Sequence, residues 1–568
     1  MAYEFGPRRD GDGTVFRLWA PDADAVDLEI QGHAIIRMRS LCGGWKTARA
    51  ACAEGARYRF RIGDLAVPDP ASRWQDGGVH GWSVVCPPAP LVPAWEGRPW
   101  TQAVMYEMHA GLAGGYGGIV RRLDELAALG VTGIQLMPIA AFPGKRNWGY
   151  DGVLPFAPAD AYGSRQALAA LIEQSHARDI MVLLDAVYNH FGPDGNYLHH
   201  YAGEFFRNDV NTPWGAAIDF RRSAVRTFVR ENIDYWINEW RFDGLRFDAV
   251  HAIADDGWLD ATVADIRREA LRNGRYVHFI LENEKNSAAR LRNGFTAQWN
   301  DDIHHTLHVL LTDERAGYYD DYADAPAANL ARALSEGFVY QGQPSRYRRG
   351  RSHGTVSRDL SPSSFVSFLQ NHDQIGNREF GERLTTLSRP RALQAAVALL
   401  LLAPQVPLLF TGEEVHSKTP FLYFTDHEAE LAEAVRRGRQ HAFSGLFDPA
   451  RIAEIPDPNA PETFAASRPA PDEAEAVSWR RFYTALLALR HQRIAPFTER
   501  ARSLGARAVA SKAVLARWRL DNGDRLTIAC NLDDTGVAAE LPGTGQIWGP
   551  PLPKTLSADS TFAWLESP

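Results

Sequence analysis

Eight apolar runs, each short enough for a strand, constrain this chain more than any other feature. They fall at 104–109, 133–139, 180–185, 244–250, 277–282, 296–300, 365–373 and 406–414. Amphipathic helical stretches at 119–129 and 164–178 alternate with the first three runs. Strand–helix repetition of this kind builds parallel βαβ units. Eight such strands suit a closed (β/α)₈ TIM-type barrel better than an open doubly wound sheet, so an α/β barrel is the expected fold. Asp185, Asp248, Glu282, Asp373 and Glu413 each stand at or near the C-terminal end of a run, where barrel enzymes place their chemistry. A convergent ring of carboxylates is the expectation.

The flanks have a different texture. At roughly 100–200 residues per domain, the 568 residues imply two to four domains. Short strand-like pieces at 15–19, 25–30 and 58–62, punctuated by Gly, Asp and Pro, predict an N-terminal β-sandwich over 1–95. The proline-rich stretch 86–99 reads as a linker, because such a sequence cannot enter a sheet interior. The barrel is assigned to 96–500, with an irregular excursion at about 189–220 after the third strand. Strand-like runs at 513–520 and 525–531 predict a small C-terminal β-domain over 501–568, and 465–476 reads as a surface loop. The apolar tract 395–410 is broken by Pro404, Gln405 and Pro407 before it reaches the ~20 residues of a membrane span, so it is expected to be a buried helix and then a buried strand.

A net charge of −8 offers no field to gather nucleic acid. The densest basic run, Arg346, Arg348, Arg349, Arg351 and Arg358, is expected to be a solvated loop. Four cysteines (Cys42, Cys52, Cys86, Cys530) without a CxxC pair indicate neither a disulfide framework nor a structural zinc. The first residues lack the apolar core of a signal peptide, so a cytoplasmic location is expected, with no membrane partner and no cofactor.

Four segments carry the chemical signal: 185–190 (DAVYNH), 244–251 (GLRFDAVH), 280–284 (ILENE) and 370–374 (QNHDQ). In this order and at barrel spacing they resemble the four motif regions of the α-amylase superfamily, glycoside hydrolase family thirteen, over nearly the whole chain. The resemblance implies retaining hydrolysis of α-glucans, with Asp248 as nucleophile, Glu282 as general acid/base and Asp373 as the third essential carboxylate, gripping sugar hydroxyls. Retention needs a carboxylate to form a glycosyl-enzyme intermediate and a second carboxyl group to protonate the leaving oxygen and then activate water. Arg246, two residues before Asp248 on one strand, would share its face and keep it ionised. Neighbouring negative charge and partial burial would keep Glu282 protonated.

His190 and His372 match the family's histidines around the sugar, and Tyr150, in 147–153 (NWGYDGV), matches a stacking position. Asp185, His251 and Gln374, inside the same motifs, complete the expected substrate contacts. Trp148, Trp214 and Trp299 are expected in loops facing the cleft. Asn189 matches a residue that binds calcium in many members; no set of oxygen ligands accompanies it, so a hydrogen-bonding role and no metal is expected.

Further phrases, 146–158 (RNWGYDGVLPFAP), 190–198 (HFGPDGNYL), 212–220 (TPWGAAIDF), 298–305 (QWNDDIHH) and 403–414 (APQVPLLFTGEE), resemble the trehalose-releasing branch of that superfamily. This implies a maltooligosyltrehalose substrate, cut at the α-1,4 bond next to its terminal trehalose unit, and action in sequence with a maltooligosyltrehalose synthase. Branching and debranching enzymes share the same carboxylates, and a non-catalytic carbohydrate-binding barrel is the reading from another class. The loop at 109–116 (HAGLAGGY) is shorter than is usual in that branch and leaves one cleft wall undefined.

Overall fold

The eight strands pair in chain order and close on themselves: β1 (Met105–Met108), β2 (Gly133–Leu136), β3 (Met181–Ala186), β4 (Gly244–Phe247), β5 (His278–Leu281), β6 (Ala297–Trp299), β7 (Phe365–Ser367) and β8 (Val406–Phe410). All pairings are parallel, β1 with β8 included. The structure, a computed structural model, describes residues 3–90, 92–212, 215–444, 449–551 and 555–567. Every residue of the eight strands is buried, because helices cover one face and the packed lumen the other. That is why they read as continuous apolar runs rather than alternating ones.

The strands are shorter than the runs that encode them. Asp248 and Glu282 are the first residues past β4 and β5. The run 365–373 yields a three-residue strand, after which the Asn371 side chain accepts hydrogen bonds from the backbone N–H groups of Asp373 and Gln374 and starts the short helix His372–Gly376. Asp373 therefore sits on a helical turn, not a strand end.

Helix α1 (Arg165–His176) begins at Ser164, whose side chain accepts from the Ala167 N–H. The stretch expected as one helix at 119–129 is two, Tyr116–Val120 and Leu123–Leu129. Helix α2 (Asp301–Thr312) follows β6 directly. The apolar tract becomes helix α3 (Pro390–Leu402) and β8, and no helix among the described residues is long and apolar enough to cross a membrane. The expected loop at 465–476 is instead bounded by helices, Pro461–Ala466 before it and α4 (Ala476–Arg493) after it.

Two antiparallel sheets precede the barrel, one ordered Arg8–Asp10, Gly13–Trp19, Trp45–Ala50, Arg39–Ser40, the other built around Asp27–Ile30 and Arg57–Ile62. They dock on the helix Ser223–Asp234: Glu231 accepts from the backbone N–H groups of Glu4 and Phe5, Asp234 accepts from the Tyr3 hydroxyl, and the Phe5 ring meets Phe228 edge-on. In the proline-rich stretch, Trp95 ties the chain to the barrel, donating to Asp243 at 2.8 Å. After the barrel, a five-stranded antiparallel sheet packs on α3, where Thr561 donates to the Ala395 carbonyl at 2.6 Å. Among its described residues, the excursion after β3 contains two 3₁₀ turns and an antiparallel strand pair, Phe206–Thr212 with Gly215–Ile218.

Gly244 opens β4 directly opposite His278 of β5, and a Cβ there would lie 2.1 Å from the His278 carbonyl oxygen. Gly244→Ala is therefore expected to destabilise the barrel by ~1–3 kcal/mol or more through overpacking. Thermal unfolding checks this; an unchanged melting temperature would mean that the two strands can part at no cost.

Candidate functional site

A buried guanidinium organises the barrel mouth. Arg246 points from β4, and its side chain is fully excluded from solvent. Parallel pairing sets it beside Asp185 of β3. Its Nη1 donates to both Asp185 oxygens at 3.0 and 2.8 Å and to Asp248 Oδ1 at 2.8 Å, while Nη2 is 3.8 Å from Glu282 Oε2. The cation lies 4.3 Å above the Trp299 ring. A charge buried this deeply persists only when paired, and the paired carboxylates are thereby fixed relative to one another.

The backbone adds a second constraint. Ala249, just after Asp248, is left-handed (φ +41°), a conformation that costs energy for a residue with a Cβ. The turn aims its N–H at Glu282 Oε2, 2.6 Å away. Burial, reinforced by Asp248, Asp301 and Asp373 and opposed by Arg246, raises the Glu282 carboxyl well above the usual carboxylate range. Burial also raises Asp185, against the pull of Arg246, to about 6.

Opposite them, the Tyr150 hydroxyl donates to Asp185 at 2.6 Å and accepts from His372 Nε2 at 2.8 Å. His372 Nδ1 donates to Glu107 at 2.6 Å, and its Nε2 also lies 3.4 Å from Asp373. Both ring nitrogens thus face acceptors. Burial disfavours the imidazolium, but Asp373 and Glu107 outweigh it and raise His372 to about 9. His190 donates to the Tyr150 carbonyl at 3.0 Å.

The mouth opens into two connected lobes. A cavity of about 430 Å³ is bordered by Trp148, Tyr150, His190, Asp248, His251 and Tyr423. A second, of about 300 Å³, is bordered by Tyr318, Tyr347, Arg348, His353 and Gln374. Glu282, Glu284, Asp301, Asp373 and Asn377 belong to both. Carboxylates set among flat aromatic rings suit a neutral, polyhydroxylated ligand.

Several expected residues stand elsewhere. Asp185, Arg246 and His372 support the cavity from behind. Trp299 is not in a loop but on β6, buried in the lumen under Arg246. Trp148 does line the cavity, yet its ring is stacked on Phe421 and its Nε1 donates to the Leu422 carbonyl, so it is a wall rather than a free platform. Trp214 lies outside the described residues. Glu413 is not part of the carboxylate ring: it is buried, with the Tyr483 hydroxyl 3.5 Å away. Asn189 is buried with neither amide atom hydrogen-bonded, so the expected hydrogen-bonding role is not found. Arg346 and Arg348 of the basic run pair with Asp324 and Glu284, the latter at the cleft.

The sequence reading missed Glu107, Asp301 and Tyr423. Glu107 stands near a strand end inside the run 104–109, and Asp301 follows directly after the run 296–300, like the acids it chose. Tyr423 comes from the segment after β8, whose strand-free sequence carries no such signal. That segment brings Tyr423 to the border of the larger cavity and is pinned where Arg439 donates to the Gly376 and Arg378 carbonyls and where Asp426 pairs with Arg146.

Residues 71–209 match the alpha amylase catalytic domain, and residues 501–561 match a C-terminal domain of unknown function, DUF3459. The chain is 38% identical over 468 residues to the malto-oligosyltrehalose trehalohydrolase of Saccharolobus solfataricus, covering 78% of this chain and 81% of that one. It is 37% identical to the enzyme of the same name from Deinococcus radiodurans, over 86% and 82% of the two chains. Similarity to a 1,4-alpha-glucan branching enzyme of Burkholderia thailandensis is 32% over only 44% of this chain and 35% of the other. Among solved structures, a Salmonella typhimurium protein described as an alpha amylase superposes over the full length of both chains with a TM-score of 0.92 at 38% identity. A pullulanase of Anoxybacillus, at 18% identity and a TM-score of 0.71, shares the fold.

The raised His372 makes stability depend on pH with a definite sign. Its contribution is complete below the ordinary histidine value of 6.5 and is lost as pH rises through about 9. Glu107→Gln, which removes one of the carboxylates holding the charge, is expected to flatten the fall in melting temperature between pH 6.5 and 9. Parallel pH curves for wild type and variant would show that the pair is not coupled in this way.

Proposed function

The chain belongs to the malto-oligosyltrehalose trehalohydrolase family, and from that premise we propose a division of labour in which Asp248 attacks the anomeric carbon, Glu282 protonates the leaving oxygen and later activates water, and Asp373 holds sugar hydroxyls. The observation that carries this reading is the distribution of the acids between the lobes. The larger lobe has both Asp248 and Glu282 at its border; the smaller has Glu282 without Asp248. In a double-displacement reaction the attacked sugar lies against the nucleophile, and the leaving group lies beyond the acid. The larger lobe therefore takes the glucosyl unit, with Tyr150, His190 and Trp148 around it, and the smaller takes the leaving portion.

On this reading the leaving portion is trehalose. On the border of the smaller lobe Glu284 pairs with Arg348 at 2.6 Å, and His251, whose charged form burial disfavours, lies 3.4 Å from the same carboxylate, so the loops after β4 and β5 and the connection before β7 meet there. A compact bent disaccharide would lie in this lobe against the Glu284–Arg348 pair. Gln374 borders this lobe and His251 the larger one beside it, where sugar hydroxyls would meet them. The remaining product is a shortened maltooligosaccharide. A maltooligosyltrehalose synthase acting beforehand would supply the substrate, and both would work in the cytoplasm.

Asp248→Asn is expected to lower kcat by several powers of ten with little change in melting temperature, since it removes nucleophilicity at nearly constant volume. Retention of activity within about tenfold of wild type would sink the assignment. Maltooligosyltrehalose should be cut at one bond, giving trehalose and one shortened chain, while a plain maltooligosaccharide of equal length reacts with much lower kcat/KM. Chromatography of the products decides: equal rates on capped and uncapped chains with no trehalose, or new α-1,6 linkages, would overturn the specificity.

A further inference from the structure

The two lobes meet over a carboxyl group to which the mechanism above gives no task. Asp301 is the first residue of α2, directly after Asn300 at the end of β6, and it borders both lobes together with Glu282 and Asp373. Its Oδ1 accepts from Gln374 Nε2 at 3.2 Å. Arg246, the cation at the centre of the site, directs its close contacts to Asp185 and Asp248 instead. Asp301 thus shares both lobes with the acid, and among the described residues its side chain is held by a neutral amide rather than by a cation.

Resting on the assignment of Glu282 as acid, we propose that Asp301 is a positioning residue for the reaction, a companion carboxyl group whose negative charge holds the proton on Glu282 until the leaving oxygen takes it. The surroundings support this from every side. Glu282 meets Arg246 from β4, Asp248 just past it, Asp373 from the turn after β7, and Asp301 itself; the three acids favour its protonated form, while Arg246 and the Ala249 N–H oppose them. Asp301 in turn meets Asp373 and, on its own helix, Asp302, with Arg246 again opposing. From the turns after α2, the hydroxyls of Tyr318 and Tyr322 feel its charge. His305, Glu284, Arg348 and His353 complete the ionisable border of the smaller lobe. Burial, with Asp373 and Asp302, raises Asp301 to about 7. Below that pH the group is neutral and leaves Glu282 alone. Above it the new charge strengthens the grip on the Glu282 proton, in the pH range where the acid would otherwise be lost, so the two titrate as a coupled pair.

The test is the pH dependence of kcat/KM for maltooligosyltrehalose and for α-glucosyl fluoride, whose leaving group needs little protonation, in wild type, Asp301→Asn and Asp301→Glu. The alkaline limb on maltooligosyltrehalose should move down by about one pH unit in Asp301→Asn, the scale expected for removing one neighbouring like charge, while the acid limb stays. Asp301→Glu, which keeps the charge, should restore the limb. On the fluoride, Asp301→Asn should lose no more than about threefold at any pH. An unmoved alkaline limb in Asp301→Asn overturns the proposal. So does an equal loss on both substrates across the whole pH range, which is the mark of a merely structural residue, or a limb moved as far by Asp301→Glu as by Asp301→Asn. If the wild-type enzyme shows the same alkaline limb on both substrates, the failure lies deeper: Glu282 is then not the acid, and the proposal falls with it.

Discussion

The site depends on one cation with no access to water. Arg246 could not remain charged in the barrel mouth unless carboxylates surrounded it, and the acids brought to it could not lie so close together without it. Asp185, Asp248 and Glu282 come from three consecutive strands, and the parallel register of β3, β4 and β5 delivers them to one guanidinium. Trp299 closes the underside with its ring, so the cation is bounded by π-density below and carboxylates above. Loss of this side chain would leave several acids facing one another in a poorly hydrated space, which links the fold's stability to the preorganisation of the site.

Around that centre the acids experience different surroundings. Asp248 receives a short contact from the guanidinium, whereas Glu282 is offered a backbone N–H and three neighbouring acids. Carboxyl groups of the same chemical type are thereby set to different tasks by position alone. The left-handed Ala249 is where the chain bears the cost, since its backbone is bent to bring an N–H to Glu282 directly after the residue that faces the sugar. A β-branched residue would fit this conformation worse.

How far the sequence disclosed this follows from the range over which each feature is encoded. The barrel strands were legible because burial on both faces makes each a short uninterrupted apolar run. The carboxylates at their ends were legible because the strand-to-loop boundary is local. The short helix carrying Asp373 was not, although Asn371 is its cap, because an apolar run and a capping side chain overlap there and the cap prevails. Glu413 satisfied the same strand-end rule as the true cleft residues and yet turned away to Tyr483, since the direction of a side chain one turn beyond a strand is set by packing that no short window contains. Trp299 was misplaced for a similar reason: an aromatic residue at a strand end can face the cleft or the lumen, and only the pleat decides. The border built by Tyr423 comes from a connection whose anchors, Arg439 on the Gly376 and Arg378 carbonyls and Asp426 on Arg146, lie far away in sequence.

The attachment of the N-terminal sheets has a consequence for the order in which the molecule is made. Tyr3, Glu4 and Phe5 find their partners at Phe228, Glu231 and Asp234, separated from them by 226–231 positions in the hydrogen-bonded pairs. At synthesis rates of about 5–20 residues per second, those partners leave the ribosome roughly 10–50 s after the residues that need them. During that interval Phe5 can meet Trp45 of the first sheet but not its second aromatic partner, Phe228. Tyr3, Glu4 and Phe5 are thus secured only once the segment leading into the fourth barrel strand has been made, and the Phe5 ring waits until then for the edge of Phe228.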